Sequence, residues 1–357
     1  MNETENIEVW LEVAATKGAS DLHIVPGHKP TLRLHGQLVD LDAPVLTPEF
    51  VRTGLLQLCD EEVQEKFDTD MNIDFALQRD LMRGPQRFRA NYFVMGKCIG
   101  ACFRVIPSSI PDFEWTGFPF ELADRLAHLR NGLVLLTGVT GAGKTTSLAQ
   151  IINLLNHEGG YRIITAEDPI EYIFPACENS IVTQREVGHD IQSFADGLKY
   201  GLRQDPDVIL VGEIRDQDTA QMALSAAETG HLVFSTLHTR DAKGAVSRFT
   251  DLFRPATQPE VRAQLAMALR AVVSQHLLPS AKDDKRQLAI EIMFNTNPIA
   301  SAIRMGKLES IDTGIVTGRA EGMVSLDESL RRLMHSGAIT RDTAERFVSD
   351  ATILNRA

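Results

Sequence analysis

The residues with the clearest chemical meaning run from Gly138 to Thr145, Gly-Val-Thr-Gly-Ala-Gly-Lys-Thr, and match the pattern G-x-x-x-x-G-K-[ST]. Glycines at this spacing let successive backbone N–H groups turn inward around a chain of phosphates. A helix starting directly afterwards points its positive end at the same place. Lys144 would then reach the β- and γ-phosphates, and the Thr145 hydroxyl would hold Mg²⁺. The expected nucleotide-binding set is Gly138, Val139, Thr140, Gly141, Ala142, Gly143, Lys144, Thr145 and Thr146, with ATP and Mg²⁺ as the cofactors.

Two further strand-like runs end in acid. Val208 to Val211 leads into Gly212-Glu213, where a glutamate after four apolar residues is what a Walker B strand supplies. Gly212 stands where an aspartate usually handles the metal. Arg162 to Thr165 leads into Glu167-Asp168-Pro-Ile-Glu171. One glutamate can orient the Mg²⁺ shell while the other orients the attacking water. Glu167 is taken as the base, because in RecA-like folds the base often comes from a strand beside the Walker B strand, and Glu213 is taken into the metal shell. The exchanged assignment stays open. Each could also be an ordinary loop carboxylate, a weaker explanation for two acids at strand ends. His231 and His238 bracket a third run, Leu232 to Leu237. A histidine at a strand's C-terminal end faces the crevice where α/β proteins bind ligands, so His238 could sense the γ-phosphate. The alternative is a capping or core histidine, and His231, at the far end, is the weaker candidate.

These residues need a scaffold, and the pattern supplies one. From about residue 118, short apolar runs (Leu133 to Leu136, Arg162 to Thr165, Val208 to Val211, Leu232 to Ser235) alternate with helical stretches at Thr145 to Asn156, Ile191 to Arg203 and Thr219 to Thr229. Continuous apolar strands between helices imply a parallel sheet covered on both faces. The last hundred residues read as mostly helical, with amphipathic stretches at Val261 to His276 and Ser325 to His335. Ahead of the sheet, shorter alternating stretches such as Thr31 to His35 and Arg87 to Phe93, set off by turn clusters at Pro26-Gly27 and Arg83-Gly84-Pro85, suggest a small α+β domain. Two prolines within Pro107 to Pro111 stop both helix and strand. The expected division is 1–106, a linker at 107–117, and an ATPase domain at 118–357 that turns helical from about residue 255.

Composition narrows the function classes. The chain has 357 residues, 43% of them hydrophobic, enough for two domains with cores. Its 36 Lys and Arg stand against 48 Asp and Glu, a net charge of −12, which argues against a nucleic-acid partner. Aromatic residues are only 6%, too few for stacking platforms along a single strand. No apolar run reaches the roughly 18 residues needed to cross a bilayer, so contact with a membrane is expected through a partner. Four cysteines without a C-x-x-C pair fit a reduced cytoplasmic setting.

Taken together these strings resemble the secretion ATPases of type II secretion and type IV pili, nearly end to end. Lys17 to Ile24 resembles that family's N-terminal signature, Thr165 to Glu171 its aspartate box, Arg203 to Asp216 its Walker B box, and Thr229 to Thr239 its histidine box. The resemblance implies an α/β fold: a RecA-like P-loop ATPase core, a smaller PAS-like α+β N-terminal domain and a helical C-terminal region. It also implies a homohexamer with sites completed by arginines. Arg87, Arg89 and Arg104 match the family's arginine-bearing segments, and Arg89 and Arg104 are the expected catalytic pair. Alternating arginines could equally form a solvated strand face. The lack of a four-cysteine insertion and of a further N-terminal domain is similar to the retraction type. Ala300 to Lys307 resembles a C-terminal motif of that type, departing from it at Ser301 and Met305. The implied partners are an inner-membrane pilus platform protein and a paralogous pilus ATPase. The rival readings are a related secretion motor and a nucleotide-gated interaction protein that does not hydrolyse.

Overall fold

A computed structural model describes residues 6–355, except His35, Arg83, Ser108 and Asp284. Parts of three sequence features, the stretch Thr31 to His35, the turn at Arg83 and the linker at Ser108, therefore lie outside the described residues. The chain divides into two compact units, residues 1–109 with Pro169–Ile173, and residues 110–168 with 174–357.

The first unit begins with α1 (Ile7–Thr16), β1 (Asp21–Ile24), β2 (Thr31–Leu34) and β3 (Gln37–Asp40). It continues through α2 (Pro48–Gln57), α3 (Glu61–Asp70), β4 (Asn72–Leu81), β5 (Gly84–Met95) and β6 (Cys98–Val105). The strands form one antiparallel sheet in the order β3-β2-β1-β6-β5-β4. Alternation along β5 puts Phe88, Ala90 and Tyr92 inside, where they pack with Leu22, Phe75 and Phe103. The Tyr92 ring meets Phe75 edge-on at 5.0 Å, and its hydroxyl donates to the Leu55 carbonyl at 3.1 Å, so the buried phenol keeps a partner.

The second unit opens with α4 (Phe113–Thr116), α5 (Phe120–Ala127), β7 (Gly132–Thr137), α6 (Lys144–Glu158), β8 (Arg162–Glu167) and β9 (Ile181–Glu186). It goes on through α7 (Phe194–Gly201), β10 (Val208–Val211), α8 (Gln217–Glu228), β11 (Leu232–Leu237), α9 (Ala242–Asp251) and α10 (Gln258–Ala268). It closes with β12 (Leu269–Pro279), β13 (Arg286–Phe294), α11 (Asn297–Met305), α12 (Glu309–Thr317), α13 (Leu326–His335) and α14 (Arg341–Glu345). The sheet order is β13-β12-β7-β11-β10-β8-β9, parallel throughout except for the antiparallel edge pair β12/β13. Every residue of β7, β10 and β11 is buried, as continuous apolar strands in a two-sided parallel sheet require.

One expectation fails in the C-terminal part. Val261 to His276 is not a single helix: α10 ends at Ala268, and Leu269 begins β12, which pairs with β7 on one side and β13 on the other. The run Ala271-Val-Val-Ser-Gln275 is buried on both faces, and its β-branched valines suit a central strand.

Near this edge, Glu291 of β13 accepts the backbone N–H of Ala242 at 2.8 Å, at the start of α9. Burial, with Asp241 and Asp312 nearby, raises its carboxyl pKa to about 7. An acid raised above its unfolded value of 4.5 adds nothing below that pH and costs stability as pH climbs from 4.5 to about 7. Chemical denaturation at pH 5 and pH 8 should therefore show Glu291→Gln gaining roughly 2–3 kcal/mol relative to wild type at the higher pH. An unchanged difference between the two proteins would remove Glu291 from the pH dependence.

Candidate active site

Four neighbouring parallel strands, β7, β11, β10 and β8, each end in one group of the expected chemistry. β7 runs into the glycine loop, His238 follows β11, Glu213 follows β10 and Glu167 ends β8. They lie along one edge of one sheet because parallel strands present all their C-terminal ends on the same side. Strand spacing puts Glu213 about 10 Å and Glu167 about 14 Å from β7 at the backbone level.

The loop geometry depends on glycine. Gly138 has φ 147°, and a β-carbon there would stand 2.6 Å from the Gln275 carbonyl oxygen and 2.9 Å from the Ala142 β-carbon. Gly141 and Gly143 also take positive φ, 79° and 87°. Gly143 caps α6 without a side-chain hydrogen bond, so the first turn of that helix offers its N–H groups toward the loop. Such a cradle suits phosphate oxygens in shape and in hydrogen-bonding sense. Val139 and Thr140 are exposed at the loop's tip, Ala142 is buried beneath it, and Thr145 and Thr146 are half-buried in the first turn of α6. Lys144 is buried, and its Nζ donates to the carbonyls of Gly138 at 2.8 Å and Val139 at 3.2 Å. Gln275 of β12 supports the loop from below, donating from Nε2 to the Ser147 hydroxyl at 2.8 Å.

Glu213 and His238 form one polar unit. His238 Nε2 lies 2.9 Å from Glu213 Oε2, and the Arg215 guanidinium pairs with the other carboxylate oxygen. Burial, helped by the positive charges of Lys144 and Arg215, pushes the His238 imidazole below its ordinary pKa. A neutral ring then donates its Nε2–H to Glu213 at neutral pH. The carbonyl oxygens ahead of Glu213 are clamped by β11: Ser235 Oγ donates to Val211 and Thr236 Oγ1 to Gly212, at 2.8 and 2.7 Å. Gly212 packs closely on its surroundings: a β-carbon there would stand 3.3 Å from the Phe194 ring and 3.5 Å from the Glu167 Cα, a contact that a small shift of the Phe194 ring would relieve.

Glu167 is buried, and Oε1 accepts the Thr165 hydroxyl at 2.6 Å and the Gln184 amide at 3.1 Å. Sequence reading missed Thr165 and Gln184 as partners of this acid. It also missed Thr137, whose hydroxyl accepts the Thr239 N–H at 3.0 Å and meets the Thr239 hydroxyl at 2.6 Å, tying the strand before the glycine loop to the residue after His238. His231 lies at the opposite end of β11, its Nδ1 3.0 Å from the Ala226 carbonyl.

The arginines belong to the first unit. Arg89 on β5 and Arg104 on β6 are a registered cross-strand pair, and each has an acidic partner, Asp74 at 3.5 Å and Asp21 at 3.1 Å. Asp21 lies within the N-terminal signature Lys17 to Ile24, which gives that string one structural task, anchoring Arg104. Arg87 stands two residues from Arg89 on β5, opposite Gln78 of β4.

A family model described as "Type II/IV secretion system protein" matches residues 4–347. The chain belongs to that family. Among its relatives, the type IV pilus retraction ATPase PilT of Pseudomonas aeruginosa is 38% identical over 339 residues, covering 95% of this chain and 97% of the relative. The type IV pilus ATPase PilU of the same organism is 36% identical, covering 97% and 90%. A crystal structure of the pilus retraction motor PilT with bound ADP superposes with a TM-score of 0.88 at 39% identity over 99% of each chain. The Legionella pneumophila ATPase DotB, at 24% identity and a TM-score of 0.81 over 95% and 94%, shares the fold. The architecture is thus a RecA-like ATPase core joined to a smaller N-terminal domain, and the relatives that share it from end to end are named as ATPases.

Proposed function

We propose that this chain is an ATP-hydrolysing motor that powers type IV pilus retraction, working as a homohexamer on an inner-membrane platform protein from the cytoplasmic side. The observation that carries the reading is the ordered row of phosphate loop, His238, Glu213 and Glu167 on adjacent strands, within a chain similar over its whole length to retraction ATPases. Among the described residues no helix is long and apolar enough to cross a membrane, which suits an attachment made through a partner.

The glycine loop and the first turn of α6 bind the phosphates, and phosphate oxygens compete with the loop carbonyls for Lys144. Thr145 and Glu213 are the residues that would hold Mg²⁺, which supplies charge neutralisation on the phosphates. Glu167 accepts a proton from the attacking water, since its Thr165 and Gln184 donors are neutral, whereas Glu213 is paired with the cationic Arg215. Neutral His238 joins Glu213 to the phosphate region and reports a change of charge there. Deleting the gene in its host and counting surface pili tests the cellular role. Hyperpiliated, non-twitching cells support retraction; bald cells point to assembly and refute it.

The arginines enter as proposed stabilisers of charge at the γ-phosphate. Arg104→Ala and Arg89→Ala should each lower kcat by roughly a thousandfold with little change in ATP affinity. Wild-type turnover in both variants assigns these side chains to the sheet surface alone, held by Asp21 and Asp74. A second reading is an accessory motor working beside a principal one, since the relatives include two type IV pilus ATPases of one organism, PilT and PilU. A deletion that leaves twitching intact until a paralogue is weakened distinguishes it.

A further inference from the structure

The carboxylate read as the base is held by donors on its own sheet face, and one of them is itself locked in place. Thr165 and Glu167 alternate along β8, so their side chains share a face, and Thr165 stands in register with Gln184 of β9 while Glu167 stands opposite Glu186. Gln184 therefore reaches the acid diagonally, its Nε2 3.1 Å from Glu167 Oε1. Its other end meets the backbone N–H of Phe174, 3.0 Å from Gln184 Oε1. A primary amide has one accepting end and one donating end, and only the oxygen can take a backbone N–H. The Phe174 N–H thus decides which way the amide points. We propose that Gln184 is a positioning residue for Glu167, an amide whose donor end is fixed on the catalytic carboxylate by the Phe174 backbone. This rests on the reading of Glu167 as the base.

The physical consequence is specific. Two neutral donors on one oxygen, the Thr165 hydroxyl and the Gln184 amide, fix the plane of the carboxylate and hold that oxygen in place. The Thr165 hydroxyl can rotate about its own bond, whereas the amide anchored at both ends cannot. Gln184 accordingly contributes more to orientation than its distance alone suggests.

The test uses the purified full-length protein and compares steady-state ATP hydrolysis across pH for wild type, Gln184→Met and Gln184→Glu. Methionine keeps the length and removes the hydrogen bonds to Glu167 and to the Phe174 N–H. It should lower kcat about tenfold to a hundredfold, as loss of an outer-shell partner does, with KM for ATP nearly unchanged. The acid limb of the kcat profile should move up by about one pH unit, because the ionised base has lost a donor. Glutamate keeps the shape and can still accept the Phe174 N–H, so it serves if the methionine variant folds poorly. By setting a second carboxylate against Glu167 it should move the acid limb further upward. An acid limb that stays at its wild-type position in both variants overturns the proposal. So does a loss confined to KM or to the melting temperature, which indicates a structural role for the β9 edge. Glu167→Gln is assayed alongside. If it still hydrolyses ATP, the base assignment falls whatever Gln184 does; if it is inactive while Gln184→Met turns over like wild type, only the role of Gln184 falls.

Discussion

Lys144→Ala is expected to reduce Mg-ATP hydrolysis by at least about a thousandfold, in keeping with the loss of a charged group aimed at transition-state negative charge. The fold should survive. Lys144 Nζ bonds to two carbonyls of its own loop, and its position is the first of α6, where a positive charge opposes the helix dipole. Alanine also has the higher intrinsic helix propensity. Phosphate release and thermal melting on the same sample check both halves of the expectation. Activity near the wild-type rate would falsify the phosphate-loop assignment. Inactivity accompanied by a collapsed melting temperature would show that the lysine was holding the loop together.

The second large effect separates the two glutamates. Glu167→Gln keeps the shape of the side chain but cannot accept a proton, so kcat should fall by about a hundredfold to ten-thousandfold while ATP still binds. Thr165 and Gln184 can both donate to the new amide's oxygen, which keeps the local packing intact. Glu213→Gln acts elsewhere. It removes the charge that Arg215 balances and that His238 bonds to, and should raise the Mg²⁺ concentration needed for half-maximal turnover. Titrating Mg²⁺ in both variants, together with nucleotide retention on a filter, decides the matter. If Glu213→Gln traps ATP and Glu167→Gln changes the metal requirement, the two roles are exchanged.

What was readable in the chain and what was not follows from the range of the interactions. The loop from Gly138 to Thr145 declares itself because its backbone must be contiguous. Glu167, Glu213 and His238 are visible because each ends a buried apolar run of four to six residues. Their supporting contacts join residues far apart in sequence: Thr137 with Thr239, Gln275 with Ser147, Gln184 with Glu167. No periodicity marks such pairs, and a lone glutamine in a polar edge strand carries no signal of its own. The boundary at Ala268/Leu269 was hidden for a different reason. Apolar residues continue across it without Gly or Pro, and only the partner strands β7 and β13 favour the extended form over the helix.

The assignment of Pro169–Ile173 to the first unit, in the middle of sequence belonging to the second, bears on how this protein can be cut. No single scission separates the units into contiguous pieces. A fragment starting near residue 110 would carry Ile170 and Tyr172, both buried in the full chain, without the bulk of the unit they are counted in. It would carry them three and five residues after Glu167. Expressed alone, such a fragment should be sticky and poorly active for reasons unrelated to its phosphate loop.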